Sequence, residues 1–126
     1  MVSRSCVHTE AAQKSPAWSQ AVKGAGLVFV SGQAGIDPET EELAGTTIQE
    51  QTRQALKNVS AVLDAAGSSL ENVLSTTFLL RDPQDFAGMN EEWLAWFPKD
   101  PPARQGAKLP IDTPGLLISI AAVAEA

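Results

Sequence analysis

Residues 46–82 read TTIQEQTRQALKNVSAVLDAAGSSLENVLSTTFLLRD, and their periodicity changes part-way along. From Thr47 to Ala66 the apolar positions Ile48, Ala55, Leu56, Val59, Val62, Leu63 and Ala66 recur at intervals of three and four, with Gln, Glu, Arg, Lys and Asp between them. That spacing predicts an amphipathic helix. Thr46 or Thr47 supplies a capping hydroxyl with Gln49 or Glu50 three residues on, and Gly67 stands where a left-handed residue ends a helix. From Val73 to Arg81 the chain becomes β-branched and apolar without a glycine, which predicts a buried strand.

The flanking sequence extends this frame in both directions. Upstream, residues 5–9 and 19–23 alternate loosely and GLVFVSGQ, 26–33, is an apolar run closed by glycine, so an antiparallel start is expected. GIDPETEELAG, 35–45, is a surface loop or a small hairpin. Downstream, residues 84–97 place Phe86, Met89, Trp93 and Trp96 or Phe97 on one helical stripe, read as core or subunit contact rather than a cofactor box. Residues 103–109 and 115–124 are two more strands, the last apolar enough to be central or covered on both faces. The order β-β-α-β-α-β-β makes residues 1–126 a single α+β domain, with both helices on one face of a sheet. Strand residues Val28, Val30, Thr77, Leu79, Leu117, Ile118 and Ile120 divide between the two faces, and two helices cover only one. The apolar face left bare is expected to be buried against copies of the chain in a closed homo-oligomer.

Composition removes several function classes. Nine Lys and Arg against fifteen Asp and Glu give a net charge of −6, and the basic residues are scattered, so a nucleic-acid partner is not expected. His8 is the only histidine and Cys6 the only cysteine, which leaves no transition-metal cluster and no serine triad that can be assembled around His8. His8 and Cys6 are read as ordinary strand side chains on one side of SCVHTE, the thiol buried or half-buried. Neither a phosphate-binding loop nor GxGxxG occurs. No run approaches the roughly 20 apolar residues of a membrane span, and Met1 to Glu10 lacks the apolar core of a secretion signal. A soluble cytoplasmic protein without metal, cofactor or membrane partner is expected. Any chemistry falls to arginine, hydroxyls, amides, backbone groups and water.

Arg104 stands out in FPKDPPARQGAKLP, 97–110, because two prolines stiffen the backbone ahead of it and a glycine follows two residues later. Such a setting suits either an aimed guanidinium or a surface arginine that begins a strand.

Five pieces in order, WSQAV, VFVSGQAGIDPETEEL, QTRQALKNVSAVLDAAGSSLENVLSTTFLLRD, FAGMNEEWLAWF and PPAR, resemble the reactive intermediate deaminase family, RidA/YjgF, over about residues 15–124. The resemblance implies a chorismate-mutase-like α+β fold assembled as a homotrimer. Its three intersubunit clefts would hydrolyse amino-acid-derived enamines and imines to keto acids and ammonia. It further implies that Arg104 clamps the substrate carboxylate, that Ser31 and Gly32 line the cleft, that Asn90 sits at its rim, and that Trp18 replaces a common tyrosine. Counting from Arg104 without a gap lays ISIAAVA, 118–124, on the family's IEIEAIA, so Ser119 stands for the first glutamate and Ala121 for the second. The carboxylate anchor is kept and the acid/base carboxylate is lost, because a serine is no base near neutral pH without a partner. Gly106 and the C-terminal end add no identifiable replacement acid, Glu125 being the one candidate and a weak one, and a small-carboxylate binding or regulatory role is the alternative to catalysis. The ribonuclease activity ascribed to some members has little support in an acidic chain with one histidine.

Overall fold

The computed structural model describes residues 3–126. Its elements are β1 (Ser5–Val7), β2 (Ala21–Gly24), β3 (Leu27–Ala34), β4 (Ile36–Asp37), β5 (Glu42–Leu43), α1 (Ile48–Ala65), β6 (Val73–Leu80), α2 (Phe86–Trp96), β7 (Ala103–Lys108) and β8 (Ile118–Glu125). The segment 35–45 is thus the small hairpin, β4 paired with β5. A short 3-10 turn, Pro83–Asp85, leads into α2, which starts two residues later than the sequence suggests.

Thr47 is the cap of α1, and both halves of a capping box form: Glu50 N–H donates to Thr47 Oγ1 at 3.2 Å and Thr47 N–H donates to Glu50 Oε1 at 3.1 Å. Thr47 Oγ1 also donates to Glu50 Oε1 at 2.9 Å, and this bond, followed by the one from Thr47 N–H, holds the Glu50 carboxyl below its ordinary pKa. Gly67 follows with φ of 81°, the left-handed residue that ends the helix. One stripe of α1, including Leu56, Val59, Val62 and Leu63, is fully buried.

The main sheet has the order β1-β2-β3-β8-β6-β7. All pairs are antiparallel except β6 with β7, which run parallel and make the sheet mixed. β8, the last strand in sequence, therefore lies in the middle. Both helices cover one face, where Val28, Val30, Phe78, Ile118 and Ile120 are buried. Arg53 of α1 donates to Glu92 of α2 at 2.8 Å and ties the two helices together.

The opposite face is uncovered by helices, as expected, and its apolar side chains, Val22 and Phe29 among them, share it with hydroxyl residues. Leu79 and Val123 interleave there with Ser75, Thr77, Ser119 and Ala121, all half-buried, and Phe29 is 47% exposed. Hydroxyl residues tolerate a pleated surface as well as apolar ones do, so the alternation on this face carries less grease than its strand propensity suggests. β8 is central, as expected, but helices cover only its Ile118, Ile120, Ala122 and Ala124 side.

Candidate functional site

The guanidinium of Arg104 rests on an aromatic floor. Its Cζ lies 5.0 Å from the centroid of Trp93, 5.1 Å from Phe78 and 5.6 Å from Phe86. Two of these rings come from α2 or its first turn and one from β6, so the cation bridges helix and sheet. Nη1 donates to Asn90 Oδ1 at 2.7 Å. Partial burial among the rings draws the Arg104 pKa below its usual value, and the group stays cationic. The ion pairs among the described residues are Lys14–Glu10, Arg53–Glu92 and Arg81–Asp112, which leaves Arg104 without a carboxylate. With one of five N–H donors committed to Asn90, a planar fork remains for an anion.

Gly106 makes that floor possible. It pairs with Phe78 across the parallel ladder, and a Cβ added there would stand 2.1 Å from Cζ of the Phe78 ring. The ring lies across the bare glycine on the edge strand, occupying the volume of the missing side chain. Phe78 in turn meets Phe86 at 6.0 Å and Trp93 edge-on at 6.4 Å. Sequence reading placed Phe86 and Trp93 on the α2 stripe but missed Phe78 as part of the site; the one available signal was a glycine two residues past the arginine, in a strand.

A second group gathers at a bulge on the open face. Register passes from Val30↔Ala122 to Gln33↔Ile120, leaving Ser31 and Gly32 without partners on β8. Ser31 Oγ donates to the Ser19 carbonyl at 2.5 Å, and its N–H to the Gln20 carbonyl at 3.0 Å, which ties the bulge to the loop holding Trp18. Gln33 Nε2 donates to the Ser31 carbonyl at 3.0 Å from the buried side. Gly32 is less constrained than Gly106: a Cβ there would approach only Ser119 Oγ, at 2.8 Å, and that hydroxyl can rotate away. Trp18 is 38% exposed.

The structure thus separates the predicted residues into two sets. Arg104 pairs with Thr76 and faces the helices, whereas Ser119 pairs with Leu79 and faces the other way. Two strand spacings and three residues of rise put their Cα atoms about 14 Å apart. Glu125 lies six positions along β8, about 20 Å from Ser119. Cys6 is exposed rather than buried, accepting from Ser19 Oγ at 3.4 Å, and those contacts lower its pKa. It lies near the edge of the sheet, where β1 is the end strand among the described residues. No group of three His, Cys, Asp or Glu is placed to hold a metal among the described residues.

Residues 9–126 match the family model described as Endoribonuclease L-PSP. The chain belongs to the RidA/YjgF family. It is 44% identical over 110 residues to a RutC family protein of Pyrococcus horikoshii, covering 85% of each chain. It is 39% identical over 107 residues to the human protein named 2-iminobutanoate/2-iminopropanoate deaminase, covering 85% of this chain and 78% of that one. Among solved structures, RidA from an Antarctic Psychrobacter superposes with TM-score 0.89 at 33% identity over 97% of this chain and 99% of that one. The YjgF gene product of E. coli gives 0.88 at 30% identity over 96% and 98%. The mixed α+β architecture expected for this RidA/YjgF chain is therefore the one observed. No helix among the described residues is long and apolar enough to cross a membrane, and the relatives include a fission-yeast protein named mitochondrial and an Arabidopsis deaminase named chloroplastic.

Proposed function

We propose that this RidA/YjgF chain forms a homotrimer that binds a small carboxylate-bearing imine or enamine between copies and hydrolyses it to a keto compound and ammonia. One copy supplies Arg104 and Asn90, and the next supplies Trp18, Ser31, Gly32 and Ser119. The observation that supports a shared cleft is the placement of Arg104 and Ser119 on opposite faces of one sheet. A ligand of amino-acid size does not touch both within a single chain. The names of the imine deaminases to which the chain is similar support the reaction class.

The unpaired guanidinium takes the carboxylate through its fork. Water adds to the imine carbon, a carbinolamine forms, and the C–N bond breaks with release of ammonia. Ser119 is neutral at physiological pH, so it orients a water or a substrate group by hydrogen bonding and does not act as the base. Enamine tautomerisation and imine hydrolysis are intrinsically easy steps, and positioning beside a fixed cation is enough to speed them. A cytoplasmic, reducing setting suits the exposed Cys6 thiol.

A non-catalytic carrier or sensor of small carboxylates is the second reading, favoured by the neutral hydroxyl of Ser119 and the distance of Glu125. Imines generated in situ by an amino-acid oxidase separate the two. Keto-acid release above both buffer and Arg104→Ala supports hydrolysis; tight carboxylate binding with no release above buffer supports the carrier; neither one overturns the cleft.

A further inference from the structure

Beside Arg104 lies a groove of about 380 Å³ lined by Asn90, Trp93, Leu94, Pro101, Pro102 and Arg104. Arg104 is its only charged wall among the described residues, in a chain of net charge −6. The larger groove along α1 contrasts with it, carrying Glu10, Asp37 and Glu39 against the single cation Lys57. An anion is therefore accepted by the first and repelled by the second. The rest of the Arg104 groove is indole, two proline rings and the isobutyl group of Leu94, which is 60% exposed.

Leu94 is placed by the same helix that places the clamp. Asn90 and Leu94 are one turn apart on α2 and share a face. The amide that holds the guanidinium and an unpartnered apolar side chain thus look toward one ligand. Pro101 and Pro102 form a wall with little conformational freedom to lose when something packs against it. The groove is of the size that holds small ligands, with one cation at one end and hydrocarbon along the rest.

We propose that this groove is a side-chain subsite, and that the ligands anchored on Arg104 are α-imino or α-keto acids with branched or aromatic hydrocarbon side chains rather than those with one or two carbons. This rests on the reading that Arg104 takes the carboxylate. The carboxylate occupies the free guanidinium donors, and the side chain lies on Leu94, Pro101, Pro102 and the Trp93 ring. The reacting carbon, which joins the two, stays at the mouth where a neighbouring copy presents Ser119.

Calorimetric titration of the intact protein with pyruvate and with 4-methyl-2-oxopentanoate tests this, using the parent and Leu94→Asn. The parent is expected to bind the isobutyl acid roughly ten-fold tighter than pyruvate, the equivalent of about two methylenes leaving water. Leu94→Asn, a change at an exposed position, is expected to close most of that gap while leaving pyruvate within about two-fold. Equal affinity of the parent for the two acids overturns the subsite and leaves the Arg104 clamp standing. Equal weakening of both acids by Leu94→Asn likewise overturns it. Binding of neither acid by the parent overturns the clamp and the subsite together.

Discussion

Gly106→Ala tests the aromatic floor with a single methyl group. On an ordinary strand the change stabilises, because the unfolded chain loses freedom, by about 0.5–1 kcal/mol. Here the added Cβ would lie 2.1, 2.4 and 2.5 Å from three atoms of the Phe78 ring. Carbon pairs settle at about 3.5–4.0 Å, so the ring or the strand must move by roughly 1.5 Å. Phe78 has little room to move, being packed between Phe86 and Trp93. Overpacking of this kind costs about 1–3 kcal/mol, which outweighs the entropic gain and leaves a net loss of about 1–2 kcal/mol. Arg104 also loses a ring now 5.1 Å beneath it, and carboxylate affinity falls by about 1 kcal/mol, or roughly five-fold. Urea unfolding and calorimetric titration with a small carboxylate measure the two effects. Phe78→Val costs less stability in the Gly106→Ala background than in the parent, because the relieved clash offsets part of the packing that the ring supplied, and the affinity does not return. A Gly106→Ala protein that is as stable as the parent and binds carboxylates as tightly refutes the reasoning.

Arg104→Lys keeps the charge and removes the fork, so small carboxylates bind weaker by about 1–3 kcal/mol in a folded protein; unchanged affinity in the lysine variant ends the clamp idea. Ser119→Glu raises 2-aminoacrylate hydrolysis about 10²-fold if a general acid/base is what the cleft lacks, and a folded, assembled variant that gains nothing shows a site shaped for another ligand. Light scattering at micromolar concentration is expected to give the mass of three chains, and the mass of one chain contradicts a cleft between copies. Thr47→Ala costs about 1 kcal/mol through the lost cap. Glu50 is held below its unfolded pKa, so its contribution is full at neutral pH and is lost as pH falls through the folded value; Thr47→Ala flattens that acid limb, and an unaltered limb in stability-versus-pH curves rules the capping box out as its source.

The sequence by itself determined the elements whose signals are local. The three-and-four spacing from Ile48 to Leu63, the threonine cap and Gly67 place α1 within a residue of its observed ends, because helical packing and capping involve neighbours a turn apart. The β-branched run at 73–81 and the apolar run at 115–124 likewise form strands, the second beginning only at Ile118, wherever they end up in the sheet. The two-sided division of strand residues was legible too, though not how much of the open face would be serine and threonine. Arg104 stood out by the two prolines ahead of it, Trp18, Ser31, Gly32, Asn90 and Ser119 through a resemblance, and their spacing in the chain says nothing of which side each one faces. Only the tertiary structure decided that. The parallel register Thr76↔Arg104 and the antiparallel register Leu79↔Ser119 share β6, and an odd separation of three along that strand sends the two side chains to opposite faces. The same register lays the ring of Phe78 over Gly106, 28 positions later in the chain. Strand parity and cross-strand contact depend on pairing between segments far apart in sequence, and a side chain two units from its partner along a strand carries no local mark of which strand will lie beside it.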